Sequence, residues 1–131
     1  CYPRGGEKVL SGGIDFAANN IKAVALPTSY TYSQSHEFLA DVGAVVGTAV
    51  ALTGKTVANG VFDADDVALG ALAAGSTLGS VLLYRETGDA ATSPLLMRIT
   101  DITGFPLATN GSNVTVRWSD GALKIFSAVP V

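Results

Sequence analysis

The chain has 131 residues, the length of one ordinary domain and too short for two. Apolar residues make up 48% and charged residues 15%, well under the roughly 25% charged of an average soluble domain, and that balance excludes disorder. Eight basic against eleven acidic residues give a net charge of −3, which argues against a phosphate-backbone binder and leaves an uncharged surface of the kind that partners cover.

Residues 1–13 read as an N-terminal arm. Pro3, the Gly5-Gly6 pair and Gly12-Gly13 bracket one short amphipathic piece that is too short to be stable alone. Its contact-making side chains are Tyr2, Pro3, Arg4, Val9 and Leu10, and these are the expected partner-contact residues. Residues 21–26 form an apolar strand that ends at Pro27. A hydroxyl- and tyrosine-rich stretch, residues 28–35, then leads into the one convincing helix signal. Phe38, Leu39 and Val42 share a helical face, Glu37 and Asp41 lie on another, and Gly43 stops the helix. Its start is expected between Ser33 and Glu37.

From Gly47 onward the pattern is β. Residues 50–52 and 55–57 flank Thr53-Gly54, and Asn59-Gly60 is the strongest hairpin-turn signal in the chain. Residues 61–62 and 67–69 sit either side of the Asp63 to Asp66 run, and residues 70–80 read as a loop rich in Gly, Ala and Ser. Residues 81–86 and 95–100 make a clear pair. The last hairpin is expected to join residues 113–118 to residues 122–126, with Trp118 in the core. Many short strands and one helix predict a mainly β fold. The expected architecture is an antiparallel β-sandwich or barrel-like domain, residues 14–131, with one short helix at about residues 35–43 and the N-terminal arm.

The chemistry-bearing residues are few. A single cysteine and a single histidine supply neither an internal disulfide nor a zinc site. No apolar run approaches the roughly 18 residues of a membrane span. The start at Cys1 suggests a trimmed product, with a lipidated first residue as one alternative. Asp63, Asp65 and Asp66 have the carboxylate spacing that suits Ca²⁺ or Mg²⁺, yet lack the glycine and distal glutamate of an EF-hand loop, so solvated turn carboxylates are expected and no metal. His36 with Ser33, Ser35 and Glu37 evokes a hydrolase. Near neighbours on a helix start do not meet in triad geometry, however, and no Gly-x-Ser-x-Gly elbow is present. Tyr30, Tyr32, Tyr84 and Trp118 would make a carbohydrate platform only if they shared a surface. Asn110 and Asn113 begin glycosylation sequons, a short and common pattern. No catalytic residue is assigned, no cofactor is implied, and the chain is expected not to be an enzyme.

Five phrases carry a resemblance: "SGGIDFAANNIKAVAL", "SHEFLADV", "LTGKTVANGVFDADDV", "VLLYRETGDAATSPLLMRIT" and "GSNVTVRWSDGALKIF". In that order, over residues 10–126, the chain resembles small structural proteins of tailed bacteriophages. The most specific piece is residues 54–67, followed by residues 83–93. The resemblance implies a virion component with no active site, and a capsid decoration (cement) protein fits it first. The implied location is the outer surface of the capsid, after synthesis in the bacterial host cytoplasm. The implied partners are the major capsid protein and further copies of the chain, as a homotrimer, with no nucleic acid and no membrane. The alternatives are another virion part, such as a tail or head–tail connector protein, and a surface-anchored or carbohydrate-binding module.

Overall fold

Two long apolar strands set the frame. A computed structural model describes residues 2–58, 61–100 and 106–116, and the backbone of 126–127. In chain order the elements are α1 (Pro3–Leu10), β1 (Ile21–Pro27), α2 (Leu39–Val42), β2 (Val46–Ala51), β3 (Thr56–Ala58), β4 (Val61–Asp63), β5 (Val67–Ala71), β6 (Thr77–Arg85), β7 (Leu95–Ile99), β8 (Leu107–Ala108), β9 (Asn113–Val116) and β10 (Phe126–Ser127). The fold is mainly β; among the described residues every strand pair is antiparallel and no barrel closes, consistent with a β-sandwich-like domain.

The main sheet has the order β2-β1-β6-β7, and β8 pairs with the start of β6. Val24 lies opposite Leu82, and Leu83 opposite Met97. The described residues also form two smaller sheets, β10-β4-β3 and β5-β9.

The pair expected from residues 81–86 and 95–100 forms, and the central strands are buried on both faces. On one face Ile21, Ala23, Ala25, Val81 and Leu83 pack against Phe62, Val67, Leu69 and Val116 from the smaller sheets. On the other face Val24, Leu26, Leu82, Tyr84 and Leu95 pack under Tyr2 and Val42. A strand covered on both sides reads as a continuous apolar run, which residues 81–84 are.

Four further expectations change. Residues 77–80 belong to β6 rather than to a loop, because Leu78 is a fully buried core residue. The hairpin expected between residues 113–118 and 122–126 lies largely outside the described residues, as do Trp118, Asn59 and Gly60; of its ends, Asn113–Val116 pairs with β5 and Phe126–Ser127 with β4. The strands beside Thr53-Gly54 join different sheets, β2 to β1 and β3 to β4.

The helix expected at residues 35–43 is shorter and later, a single turn from Leu39 to Val42. Glu37 and Phe38 are already committed elsewhere. The Leu95 N–H donates to the Glu37 carbonyl at 2.9 Å, and Phe38 bridges Pro94. The Asp41 carboxylate then accepts the Glu37 and Phe38 N–H groups at 2.9 and 3.0 Å.

The segment read as an arm contains a second helix, docked on β7. The Tyr2 N–H donates to the Leu96 carbonyl at 3.0 Å. Gly5 permits the contact, since a Cβ there would collide with the Leu95 carbonyl oxygen. The helix therefore covers the β7 edge, where unpaired strand groups would otherwise be exposed.

Candidate functional site

The densest grouping of polar and aromatic side chains lies over the second face of the main sheet. Tyr2 enters it from the residue preceding α1, Tyr30 and Tyr32 from the segment after β1, His36 from the approach to α2, and Arg98 from β7. Pro27 ends β1, and the chain then runs without regular structure until Phe38, which lets residues 30–36 lie across the sheet.

The geometry is a chain of hydrogen bonds. The Tyr2 and Tyr30 hydroxyls share one of 2.7 Å, and the Tyr30 hydroxyl and His36 Nδ1 share the next, 2.8 Å. The Tyr2 ring lies 5.2 Å from that of Tyr32, centroid to centroid. The Arg98 guanidinium sits 5.3 Å from the centre of the Tyr30 ring, and its Nε donates to Ser80 Oγ at 3.1 Å. Beside this cluster the Lys8 ammonium donates to the Glu37 carboxylate at 2.8 Å and lies over the Phe38 ring. Both contacts tie α1 to the loop before α2.

Burial sets the protonation chemistry. Tyr2 is fully buried, and desolvation raises its phenol well above the ordinary value, with the hydrogen bond to Tyr30 adding to the effect. Tyr84, deep in the same face, is pushed up to about 12, first by desolvation and then by the nearby Glu86 carboxylate. Asp41 moves the other way, held below its usual range by the Phe38 and Glu37 N–H groups it accepts. Both buried phenols therefore stay neutral at ordinary pH.

The expected site residues separate in space. Tyr2 is buried within its own domain and Val9 is half-buried, whereas Pro3, Arg4 and Leu10 are exposed. Tyr30 is half-buried, Tyr32 exposed and Tyr84 core, so these three tyrosines do not form one open platform. Ser33 and Ser35 bond each other at 2.8 Å, while His36 faces Tyr30. In the acidic run, Asp65 accepts from the Thr53 hydroxyl at 3.3 Å. Among the described residues no three His, Cys, Asp or Glu side chains are grouped to hold a metal, and no helix is long and apolar enough to cross a membrane. Asn110 is exposed, and its side-chain oxygen accepts the Ser112 N–H at 3.0 Å.

Sequence reasoning missed Arg98 and Ser80. The signal for Arg98 was present, a lone arginine inside the apolar strand Leu95–Ile99. Ser80 carried no signal, because it stood in a stretch read as loop.

A second feature concerns the exterior. No charged residue occurs between Asp41 and Lys55, or between Asp66 and Arg85. The fold sets these two stretches side by side, with β2 next to β5. Gly47 makes this possible, since a Cβ there would come within 2.5 Å of the Leu72 side chain. Ala44, Val45, Thr48 and Ala51 from one stretch, and Ala68, Ala71, Ala73 and Ala74 from the other, are exposed. No protein-family model matches the chain, and a search of curated proteins finds no match.

Proposed function

We propose that the protein is a non-enzymatic structural component of a tailed-phage virion, a decoration protein that binds and stabilises the outer surface of the assembled capsid. Its partners in this reading are the major capsid protein and two further copies of itself in a trimer. The observation that carries the reading is the charge-free exterior formed by β2 and β5. A monomer that works alone in solution keeps such surfaces small and interspersed with charge. Depletion of charge is instead the signature of the buried centre of an interface. The phrase-level resemblance to small phage structural proteins points in the same direction.

The outer edge of β2 supports the same reading. Among the described residues β2 pairs only with β1, and it carries no lysine, glutamate or proline to block further pairing. An edge of this kind suits addition of a strand from a neighbouring subunit.

Quantitative mass spectrometry of purified virions tests the proposal, with copies counted against the major capsid protein. Hundreds of copies are expected for a decoration protein. A count of about six or twelve would assign the chain to a ring-shaped connector instead, and absence from the virion would overturn both.

A further inference from the structure

Arg98 differs from the other basic side chains of the described residues: Arg4 is exposed to solvent, and the rest are paired. Lys8 is paired with Glu37 at 2.8 Å and Lys22 with Glu86 at 3.6 Å. Lys55 donates to the Asn19 carbonyl, and Arg85 to the Gly13 carbonyl. Arg98 is half-buried, yet among the described residues its single hydrogen bond is the one from Nε to Ser80, and no carboxylate reaches it. Its guanidinium is nonetheless held between two contacts, that bond and the Tyr30 ring, which it overlies at 5.3 Å from the centre. The free end of the fork, the two Nη nitrogens, has no protein acceptor among the described residues.

A partly desolvated cation without a counter-charge is costly by itself. It becomes favourable when a planar anion arrives, because a carboxylate accepts both Nη donors in parallel. The side chain is already held in place, so little further rotamer entropy is lost on binding. The surroundings match the composition of an interface anchor, with Tyr30 stacked beneath and Tyr32 exposed nearby. One guanidinium in a chain of net charge −3 suits a monoanion better than a phosphate dianion, which ordinarily recruits several cations.

We infer that Arg98, stacked on Tyr30 and anchored by Ser80, is a receptor for a carboxylate of a protein partner, an aspartate or glutamate side chain presented to this face. The protein nature of the partner rests on the assembly reading above, whereas the site itself does not.

The experiment uses the full chain and sodium acetate as the probe, at constant ionic strength with chloride as the control anion. Nuclear magnetic resonance follows the Arg98 Nε–H and the Tyr30 and His36 ring signals. Acetate is expected to shift these signals saturably, and chloride is not. Arg98→Gln is expected to weaken acetate binding by about tenfold or more, the usual loss for a charge-assisted hydrogen-bonded pair. Arg98→Lys should restore only part of the affinity, because an ammonium keeps the charge without the fork. Tyr30→Phe keeps the stacked ring and should keep most of the binding. Absence of a saturable acetate shift, or equal shifts in Arg98→Gln with its fold intact by thermal melting, overturns the inference. Binding of the Arg98→Gln protein to phage heads as tightly as wild type would also overturn it, while leaving the decoration reading standing. Failure of the wild-type protein to bind heads would sink the decoration reading without touching the acetate result.

Discussion

Tyr2 shows how one side chain near the chain start holds two layers together. It is fully buried against Val24, Leu82 and Leu95, and its hydroxyl meets that of Tyr30. Replacing Tyr2 with alanine should therefore cost about 3–5 kcal/mol in urea denaturation. Tyr2→Phe keeps the ring and loses one shared hydrogen bond, for about 1 kcal/mol. The pH dependence follows from the direction of the shift. The folded phenol is raised above its ordinary 10.0, so the unfolded chain releases that proton first. The stability contributed by Tyr2 is complete below pH 10 and is lost as pH rises beyond it. Tyr84, at about 12, works in the same sense. Wild-type stability should fall across pH 10 to 12, and Tyr2→Phe should flatten that fall; an unchanged slope would show that Tyr2 is solvated. The sequence marked Tyr2 as a partner-contact residue, whereas the fold buries it within its own domain. Its partners, Tyr30 and the sheet face, are distant in the chain and become neighbours only through the fold.

At the level of elements, the two helices are the least legible parts, for opposite reasons. The run Pro3–Leu10 contains Gly5 and Gly6, which local propensity counts against a helix. Docking overrides propensity, since Gly5 brings the helix backbone close to β7. Gly5→Ala therefore gives a test with a reversed sign. In an isolated helix alanine would stabilise by about 1 kcal/mol, but here it should destabilise by about 1–3 kcal/mol through overpacking against Leu95. A stabilising outcome in thermal denaturation would mean that α1 does not lie on β7. For α2 the periodicity of residues 35–43 predicted more helix than forms, because pairing of residues 37 and 38 with the start of β7 outcompetes the first turn. Asp41 caps what remains, with a folded pKa depressed below 3.8. Its contribution is present above that pH and is lost as pH falls through the folded value, and Asp41→Asn should remove this acid-side dependence. The strands were more legible. Residues 21–26 and 95–100 appear close to their expected bounds as Ile21–Pro27 and Leu95–Ile99, while the strand expected at 81–86 begins four residues earlier, as Thr77–Arg85. What the local pattern did not supply was long-range pairing, such as β5 with β9.

The whole molecule is a main sheet with a different cover on each face. Small sheets lie over one side, and Tyr2 with the segment leading into α2 lies over the other. Low charge was readable from composition, and so was the expectation that partners cover part of the surface. Its location was not, because the exposed residues around β2 and those around β5 become one exterior only when the two strands lie side by side. Thr48 sits exposed on that exterior, at the outer strand of the sheet. A lysine there should leave folding stability within about 0.5 kcal/mol, as exposed substitutions do. It would place an unpaired charge in any interface built on this surface. The most direct measurement is co-sedimentation of the wild-type and Thr48→Lys proteins with phage heads prepared without the protein. The account predicts saturable binding by the wild type and loss of binding by the folded variant. Equal co-sedimentation of the two would contradict it.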